Sequence, residues 1–398
     1  MLKPSLLLGL CLVSVVWGTA TPPQTAQAQE QEGGTVNIAQ RPPENDESLE
    51  TPEPAFREQT TEVAPGVRLR QEYVSFGRER FPVVALEVDP RHSGVQLRPI
   101  WGEPPSMTGT EPLVTMGRRW RVLAAINGGF FNRDNRLPLG AIRRDSQWFS
   151  GPILNRGAIG WDNQGNVKID RLYLREVLTT STGRRVFISH LNSGYVQAGV
   201  ARYTPAWGRS YTPLTDNETL LLVRNNQITR RLSGEAASRF PIPEDGYILA
   251  VRANSVSPRQ FPVGTRVQLT SETIPDDFVN YPHIIGAGPL LLRNGGIVLN
   301  GAAEKFSNAF NRQTASRSAI GTTSQGTLIL AAVHNRVGGK GPNLRELAQV
   351  LQRLGVVDAL NLDGGSSTSL YLHDRLIDRP ASTAARVHNA IGIYVRQD

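Results

Sequence analysis

Residues 343–368 read Asn343-Leu-Arg-Glu-Leu-Ala-Gln-Val-Leu-Gln-Arg-Leu-Gly-Val-Val-Asp-Ala-Leu-Asn-Leu-Asp363-Gly-Gly-Ser-Ser-Thr368, and this stretch predicts a helix, a buried strand and a glycine loop in direct succession. Leucines recur at helical spacing in its first half, and Asn343 with Glu346 matches a capping box. Gly355 ends the helix. The apolar strand that follows places Asp363 and a glycine pair at its end.

A second run has the same build. It reads Arg121-Val-Leu-Ala-Ala-Ile-Asn127-Gly-Gly-Phe-Phe-Asn132, after a weaker predicted helix over 112–120. A glycine pair lets the backbone come within hydrogen-bonding distance of a ligand. Either run alone could equally be a tight turn. The presence of both in one chain favours a functional interpretation.

The rest of the chain predicts an α+β protein, a strand-rich mixed sheet system with few helices. Apolar and β-branched runs over 67–76, 81–88 and 94–100 read as strands. Asn225-Asn226 and Asn294-Gly295 mark hairpins within 220–232 and 290–299. We expect one main domain over 63–398, with an inserted subdomain near 170–280.

The N-terminal region predicts export. Residues 1–28 resemble a signal peptide, with an apolar centre and Ala26-Gln-Ala28 as a cleavage site. Residues 29–62 are rich in Pro, Gln, Glu and Thr and predict a disordered linker. We therefore expect a periplasmic or secreted protein with no stable membrane span after signal cleavage. An uncleaved anchor is the alternative.

Composition narrows the classes of function. The single cysteine, Cys11, lies in the predicted signal, so thiol catalysis and cysteine metal sites are excluded for the mature chain. The net charge is +8, but the basic residues are spread along the chain. This distribution does not predict nucleic-acid binding and is compatible with an anionic substrate. No metal constellation stands out, and we predict no cofactor.

Four ordered motifs and a closing segment carry a family resemblance. The motifs are Asn127-Gly-Gly-Phe-Phe, Gly286-Ala-Gly-Pro-Leu-Leu-Leu-Arg-Asn-Gly295, Arg317-Ser-Ala-Ile-Gly321 and Asn361-Leu-Asp-Gly-Gly-Ser-Ser-Thr368, and the closing segment is Arg386-Val-His-Asn-Ala-Ile-Gly392. Together they resemble the phosphodiester glycosidase family over roughly residues 80–396, which implies a phosphodiester-glycosidase-like domain. The family usually has a third glycine where this chain has Ser366.

The resemblance implies hydrolysis of the bond between an anomeric carbon and a phosphodiester oxygen. The leaving phosphate monoester is stable as an anion, so one carboxylate and good anion stabilisation could suffice. Asp363 is the first candidate for that carboxylate, as base or nucleophile. A turn-capping aspartate is the alternative.

Further site residues are predicted on the same basis. Possible catalytic partners are Asn127, Glu304 and His334. Residues that could bind substrate or phosphate are Gly128, Gly129, Phe130, Arg317, Gly364, Gly365, Ser366 and Ser367. Each has a structural alternative: a strand-end tie for Asn127, a salt bridge for Arg317, a surface charge for Glu304, a core position for Phe130 and a structural hydrogen bond for His334. His388 is more readily a structural histidine.

Three functions remain open at this point. The leading one is an exported hydrolase acting on a sugar 1-phosphodiester of an envelope or extracellular polysaccharide. The second is a phosphodiesterase that breaks the P–O bond. The third is a non-catalytic module that binds anionic polysaccharide through arginines and surface aromatic residues such as Trp148, Trp161 and Trp207.

Overall fold

Strands dominate the structure, a computed structural model that describes residues 56–76, 79–235, 238–253, 255–257, 260–336 and 338–396. The predicted signal peptide and residues 29–55 of the predicted linker lie outside these ranges.

The helices are α1 (Leu113–Trp120), α2 (Asn308–Arg312) and α3 (Leu344–Arg353). The strands are β1 (Gln59–Ala64), β2 (Val67–Phe76), β3 (Glu79–Val88), β4 (Val95–Trp101), β5 (Ala124–Asn127), β6 (Ile142–Arg144), β7 (Gln147–Ser150), β8 (Gly157–Trp161), β9 (Val167–Arg171), β10 (Tyr173–Thr180), β11 (Arg185–Ile188), β12 (His190–Leu191), β13 (Gly199–Tyr203), β14 (Ser210–Tyr211), β15 (Glu218–Arg224), β16 (Gln227–Gly234), β17 (Phe240–Pro241), β18 (Gly246–Arg252), β19 (Val267–Ile274), β20 (His283–Gly286), β21 (Leu290–Arg293), β22 (Gly296–Ile297), β23 (Arg317–Thr323), β24 (Leu328–Val333), β25 (Val356–Asn361), β26 (Leu370–Leu372), β27 (Arg375–Leu376) and β28 (Asn389–Val395).

Three sheets form the part of the fold that carries the predicted motifs. An eight-stranded sheet has the order β1-β2-β3-β24-β23-β25-β21-β22. A five-stranded sheet, β27-β26-β5-β28-β4, contains the strand before the first glycine pair. The strands of another five-stranded sheet, β7-β6-β20-β8-β9, lie between β5 and β21 in sequence. The predicted α+β class, rich in strands and poor in helices, is confirmed.

The helix–strand unit at 343–361 forms as predicted. The Asn343 side chain accepts the N–H groups of Arg345 and Glu346 at 2.9 Å, and the Glu346 carboxylate accepts the Asn343 N–H at 2.8 Å. Gly355 follows with φ +84°, a conformation that glycine adopts without strain. The buried face of α3 packs into the main hydrophobic core through Leu344, Leu347 and Leu351.

The predicted hairpins and early strands are also confirmed. β15 pairs with β16 across Asn225 and Asn226, both with positive φ, and β21 pairs with β22 across Asn294-Gly295. β2 spans the predicted residues, and β3 and β4 match within two residues at each end.

The predicted linker extends too far. β1 begins at Gln59 and pairs antiparallel with β2, so residues 59–62 belong to the sheet. Its side chains over 59–62 are exposed and polar, because β1 is an edge strand. A polar edge strand has the same composition as a disordered segment, which explains the error.

The segment that includes the predicted insertion begins and ends in paired strands. β10 and β19 pair antiparallel along their whole length, and the residues between them form the sheet β12-β13-β18-β15-β16. Residues such as Leu178, Leu221 and Leu249 form a separate hydrophobic cluster. Others, including Tyr203 and Leu220, join the main core. No described helix is both long and apolar enough to cross a bilayer.

Loss of the capping box should destabilise the protein measurably. We expect Asn343→Ala to lower the free energy of unfolding by about 1 kcal/mol, because two N–H groups of α3 lose their acceptor. Urea denaturation followed by circular dichroism measures the change. Gln349→Ala, on the exposed side of the same helix, is the matched control and should stay within about 0.5 kcal/mol of the parent.

Candidate active site

The two glycine runs meet in space. Asn127 ends β5, and Asp363 lies just beyond β25 in a different sheet. The Asn127 amide donates to the Asp363 carbonyl at 2.7 Å, and the Asp363 N–H donates to the Gly128 carbonyl at 3.0 Å. These two hydrogen bonds join the ends of both strands at one place.

Asn127 uses both its amide nitrogen and its amide oxygen in this connection. Its amide oxygen accepts the Ser318 hydroxyl at 2.6 Å and the Ser369 N–H at 3.1 Å, and the residue is completely buried. The structure therefore places Asn127 as the tie between strand ends that was the alternative to a catalytic role.

The first glycine pair is held by Asn389 of β28. The Gly129 N–H donates to the Asn389 side-chain oxygen and the Gly128 N–H to its carbonyl, both at 2.8 Å. A Cβ on Gly128 would collide with the Asn389 side chain, and one on Gly129 would collide with the Gly286 carbonyl. Glycine is needed here for close packing, and the predicted N–H contacts from Gly128 and Gly129 to phosphate are wrong, since both groups are already bonded.

The second loop, residues 363–368, is built differently. Its buried oxygens include Asp363 Oδ2, Ser367 Oγ and Thr368 Oγ1, and none of these has a hydrogen-bond partner among the residues that the structure describes. Gly365 has φ +65° and open space where a Cβ would lie. Buried polar atoms without partners are rare in folded proteins, and three in one loop indicate a place for a ligand or ordered water.

Asp363 has the electrostatics of a proton-transfer group. Burial raises the pKa of its carboxyl to about 6, while the nearby Ser367 hydroxyl, the Arg133 charge and the Gly364 N–H oppose the rise. The Ser367 hydroxyl is close enough to act on the carboxylate but does not have the geometry of a hydrogen bond to it. The Gly364 N–H donates to Asp363 Oδ1 at 3.0 Å. A pKa near neutrality suits general acid–base catalysis.

Arg317 lies beside this carboxylate but is tethered. Its guanidinium donates to the Gln313 carbonyl at 2.6 Å and to the Pro342 carbonyl at 3.4 Å, and only 1% of the residue is exposed. Burial lowers its pKa to about 10, against the attraction of Asp363. Arg317 thus contributes charge near Asp363, and the ring of Phe310 packs 5.4 Å from it.

His334 is brought to the border of the second loop. Its Nε2 lies 3.0 Å from Asp378 Oδ2, and its Nδ1 lies 3.3 Å from the Ser316 hydroxyl. The carbonyl of Ser316 in turn accepts the Gly365 N–H at 2.7 Å. Asp378 Oδ1 accepts the Leu370 N–H at 2.8 Å, so this chain of contacts reaches both sides of the loop.

Several residues of the site were missed by sequence reasoning. Arg379 donates to the carbonyls of Gly365, Ser366 and Thr368 at 3.3–3.4 Å and shapes the loop. Arg133 is exposed, and its charge acts on Asp363. Its position directly after Phe-Phe-Asn132 was a signal that could have found it. Asn389 lies in the closing segment that carries the family resemblance, whereas nothing in the local sequence marks Arg379 or Asp378.

Two predicted site residues lie in the interior instead. Glu304 is fully buried, and its carboxylate accepts the N–H groups of Gly157 at 2.8 Å and Leu290 at 3.0 Å. The alternative of a surface charge is therefore wrong, and its carboxylate is held inside the protein by backbone N–H groups. Phe130 is 1% exposed and packs against Phe306 and Phe310, so it has no face for a sugar.

Most of the remaining aromatic and histidine residues singled out from the sequence also lie in the interior. Trp161 and Trp207 are buried in the main core, and Trp148 is half-buried, so the predicted surface aromatics are wrong for the first two. His388 is buried with Nε2 2.8 Å from the Met107 carbonyl, and burial lowers its pKa to about 4. Within the described ranges, no group of three or more His, Cys, Asp or Glu side chains could hold a metal ion.

A family model supports the resemblance that the motifs carry. The model described as phosphodiester glycosidase matches residues 217–394, which include the Asp363 loop but not the first glycine run. The resemblance to this family is therefore confirmed.

Individual relatives match a shorter segment. N-acetylglucosamine-1-phosphodiester α-N-acetylglucosaminidase of Mus musculus is 30% identical over 126 residues, and that of Bos taurus is 33% identical over 122 residues. Each alignment covers 28% of this chain and 24% or 23% of the relative. The chain thus spans about a quarter of the length of these relatives.

Two crystal structures resemble most of the chain. A hypothetical protein from Synechocystis is 49% identical with a TM-score of 0.84, over 86% of this chain and 64% of its own. A Burkholderia pseudomallei protein is 19% identical with a TM-score of 0.64, over 80% of this chain and 75% of its own. The second likeness concerns the fold alone.

Because the pKa of Asp363 is raised, the effect of replacing Asp363 on the free energy of unfolding should depend on pH. The folded state disfavours the ionised carboxylate, so the parent loses stability as pH rises from the unfolded pKa toward about 6. At each pH, the free energy of unfolding of Asp363→Asn is compared with that of the parent. As the pH rises from about 4 to about 7.5, we expect this difference to increase by up to about 3 kcal/mol in favour of the variant. Urea denaturation at both pH values measures it. A difference independent of pH, or one equal to that of Asp358→Asn, contradicts the burial of an uncompensated charge.

The Asp378 contact should determine the tautomer of His334. The Asp378 carboxylate can only accept a hydrogen bond, so the imidazole hydrogen of His334 must be on Nε2. Nδ1 then accepts a hydrogen bond from the Ser316 hydroxyl. In Asp378→Asn the amide oxygen can keep the Leu370 N–H, and the amide nitrogen then donates to Nε2. We expect the hydrogen to move to Nδ1, as measured by nitrogen NMR of the imidazole at about pH 8. His334→Gln assigns the signals, and Ser316→Ala should retain the parent tautomer. An unchanged tautomer in Asp378→Asn refutes the assignment.

Proposed function

We propose that this protein hydrolyses the glycosidic bond of a sugar 1-phosphodiester, releasing free sugar and a phosphomonoester. The observation that carries the proposal is the Asp363 loop. A buried carboxylate with a raised pKa and an unpaired oxygen lies beside two unpaired hydroxyls, within the segment that matches a phosphodiester glycosidase model.

Asp363 is suited to activate water. Its ionised carboxylate takes a proton from the water whose oxygen attacks the anomeric carbon. The bond from that carbon to the phosphate oxygen breaks, and its electron pair leaves with the phosphomonoester. Direct attack by Asp363, followed by hydrolysis of the glycosyl ester, is the other route open to the same carboxylate.

The leaving phosphate would be stabilised by charge and hydroxyl groups at the rim. Arg133 is exposed close to Asp363, and Arg317 adds a buried positive charge. Ser367 and Thr368 have hydroxyls free of other partners in the described structure. Donors that are already in place stabilise developing negative charge without reorganisation.

The wider context belongs to the same proposal. The curated relatives are named for N-acetylglucosamine-1-phosphodiester substrates. We propose from the predicted signal peptide that the protein acts in the periplasm or outside the cell, where envelope and extracellular polysaccharides supply sugar phosphodiesters. We propose these polysaccharides as the source of its substrate.

Product analysis on a defined ester tests the reaction. The full chain is incubated with α-N-acetylglucosaminyl 1-phosphate methyl ester, and products are followed by a reducing-sugar assay and phosphorus NMR. We expect free N-acetylglucosamine with methyl phosphate, and a rate lowered by about a thousandfold or more in Asp363→Asn. Asp358→Asn is the matched control, because Asp358 lies on β25, the strand that precedes Asp363, and accepts the Asn294 N–H at 2.9 Å.

Three results would overturn the proposal. Sugar 1-phosphate as the product would assign P–O cleavage instead. An Asp363→Asn rate equal to that of Asp358→Asn would remove Asp363 from the reaction. No turnover of this ester or of the matching glucose and mannose esters would leave hydrolysis of sugar phosphodiesters unsupported.

A further inference from the structure

Phe187 is the most exposed large apolar side chain in the described part of the chain, at 66%. It lies on β11, where Arg185 and Phe187 point outward while Val186 and Ile188 are buried in the second hydrophobic cluster. The strand alternation therefore fixes the ring on the solvent side. A single exposed phenylalanine is common on protein surfaces, so the groups around the ring decide what this face can bind.

The neighbouring strands extend the surface around the ring. Phe187 lies opposite Val177 of β10, and Val177 lies opposite Thr270 of β19. Val177 is buried, whereas Thr270 and Glu272 are exposed. Around Phe187 this sheet face therefore carries hydroxyl, carboxylate and guanidinium groups, and Tyr173 lies on the same face farther along β10.

Two hollows flank the ring. One, of about 600 Å³, is lined by Arg184, Arg185, Phe187 and Gln260 among others. The other, of about 450 Å³, is lined by Arg175, Arg185, Phe187 and Thr270 among others. Volumes of this size accept small ligands of one or two rings.

The charge of this face is positive. Arg175 is paired with Glu272. The Arg184 and Arg185 guanidiniums are exposed, and no ion pair to either is found within the part of the chain that the structure describes. A guanidinium fork matches the two oxygens of a carboxylate or phosphate. Two such groups beside one exposed ring provide both charge and an apolar surface.

We propose that the Phe187 face, defined as Arg175, Arg184, Arg185, Phe187, Gln260 and Thr270, binds an anionic glycan. A sugar ring packs on Phe187 through its C–H face, and acidic groups of adjacent sugars meet Arg184 and Arg185 in the hollows on either side. Gln260 and Thr270 supply hydrogen bonds to hydroxyls. This site is separate from Asp363 and requires no turnover there.

A glycan suits the face better than a protein partner does. Next to the two hollows the exposed apolar surface is the Phe187 ring, and Tyr173 and Ile274, 41% and 39% exposed, lie at the far end of β10 and β19. A stable protein interface needs a contiguous buried core of several apolar residues. A sugar ring presents an apolar C–H face next to hydroxyl groups, and the Phe187 face likewise presents an apolar ring next to polar groups. The charge selects the acidic members of that class.

Binding is tested with hexagalacturonate as the anionic probe and maltohexaose as the neutral one. Isothermal titration calorimetry is performed on the full chain and on Asp363→Asn at about 0.15 M salt, where non-specific surface attraction is screened. We expect hexagalacturonate to bind both proteins equally and maltohexaose to bind at least about tenfold more weakly.

Variants locate the site. Phe187→Ala and the double variant Arg184→Gln/Arg185→Gln should each weaken hexagalacturonate binding about tenfold or more. Val279→Ala removes an apolar side chain that is 60% exposed elsewhere, and Arg345→Gln removes an exposed arginine of α3. Both controls should stay within about twofold of the parent. Thermal melting verifies that each variant is folded.

The outcomes separate this proposal from the proposed reaction. No hexagalacturonate binding, equal affinity for maltohexaose, or binding unaffected by the Phe187 and arginine changes overturns the glycan site. If Asp363→Asn is the only variant that loses hexagalacturonate binding, the glycan binds at the active site, and this result also overturns the proposed site. Failure of the chain to hydrolyse sugar phosphodiesters leaves these binding results unaltered.

Discussion

The Asn127 side chain is the contact on which the candidate site depends. It joins the end of β5 to the Asp363 loop, and it does so from a fully buried position between two different sheets. Its oxygen accepts two further hydrogen bonds, from Ser318 and Ser369. Removing one partner of such a network leaves buried groups unpaired, which costs more than the bond itself contributes. The geometry around Asp363 is therefore set by a fully buried amide that is bonded to the protein at both its nitrogen and its oxygen.

Local patterns predicted the elements of the fold well, because their causes lie within a few residues. The capping box at Asn343, the turn at Asn294-Gly295 and the apolar strand before Asp363 all specify structure through neighbours in sequence. The polar edge strand at 59–62 escaped because its partner, β2, follows only after a turn and its own residues carry no apolar alternation.

The site was predicted less well, because its chemistry is settled by contacts between distant positions. Whether Gly128 can offer its N–H depends on Asn389, and whether Glu304 is catalytic depends on Gly157 and Leu290. No spacing in the sequence records those contacts. Asp363 could be singled out because both the strand and the glycine loop that present it are local. Its neighbours Arg379 and Asp378 act through long-range hydrogen bonds that only the folded chain reveals.

The paired strands β10 and β19 bring the two ends of a long segment side by side. A segment with adjacent ends can change in length or sequence without displacing the strands before and after it. The inner side of this segment is less free, since Tyr203 and Leu220 are part of the main core. Its outer side, with β11 at the sheet edge, carries no such constraint. Divergence among proteins of this architecture should therefore concentrate in that outer layer, and new recognition surfaces can arise there while the loop at Asp363 stays the same.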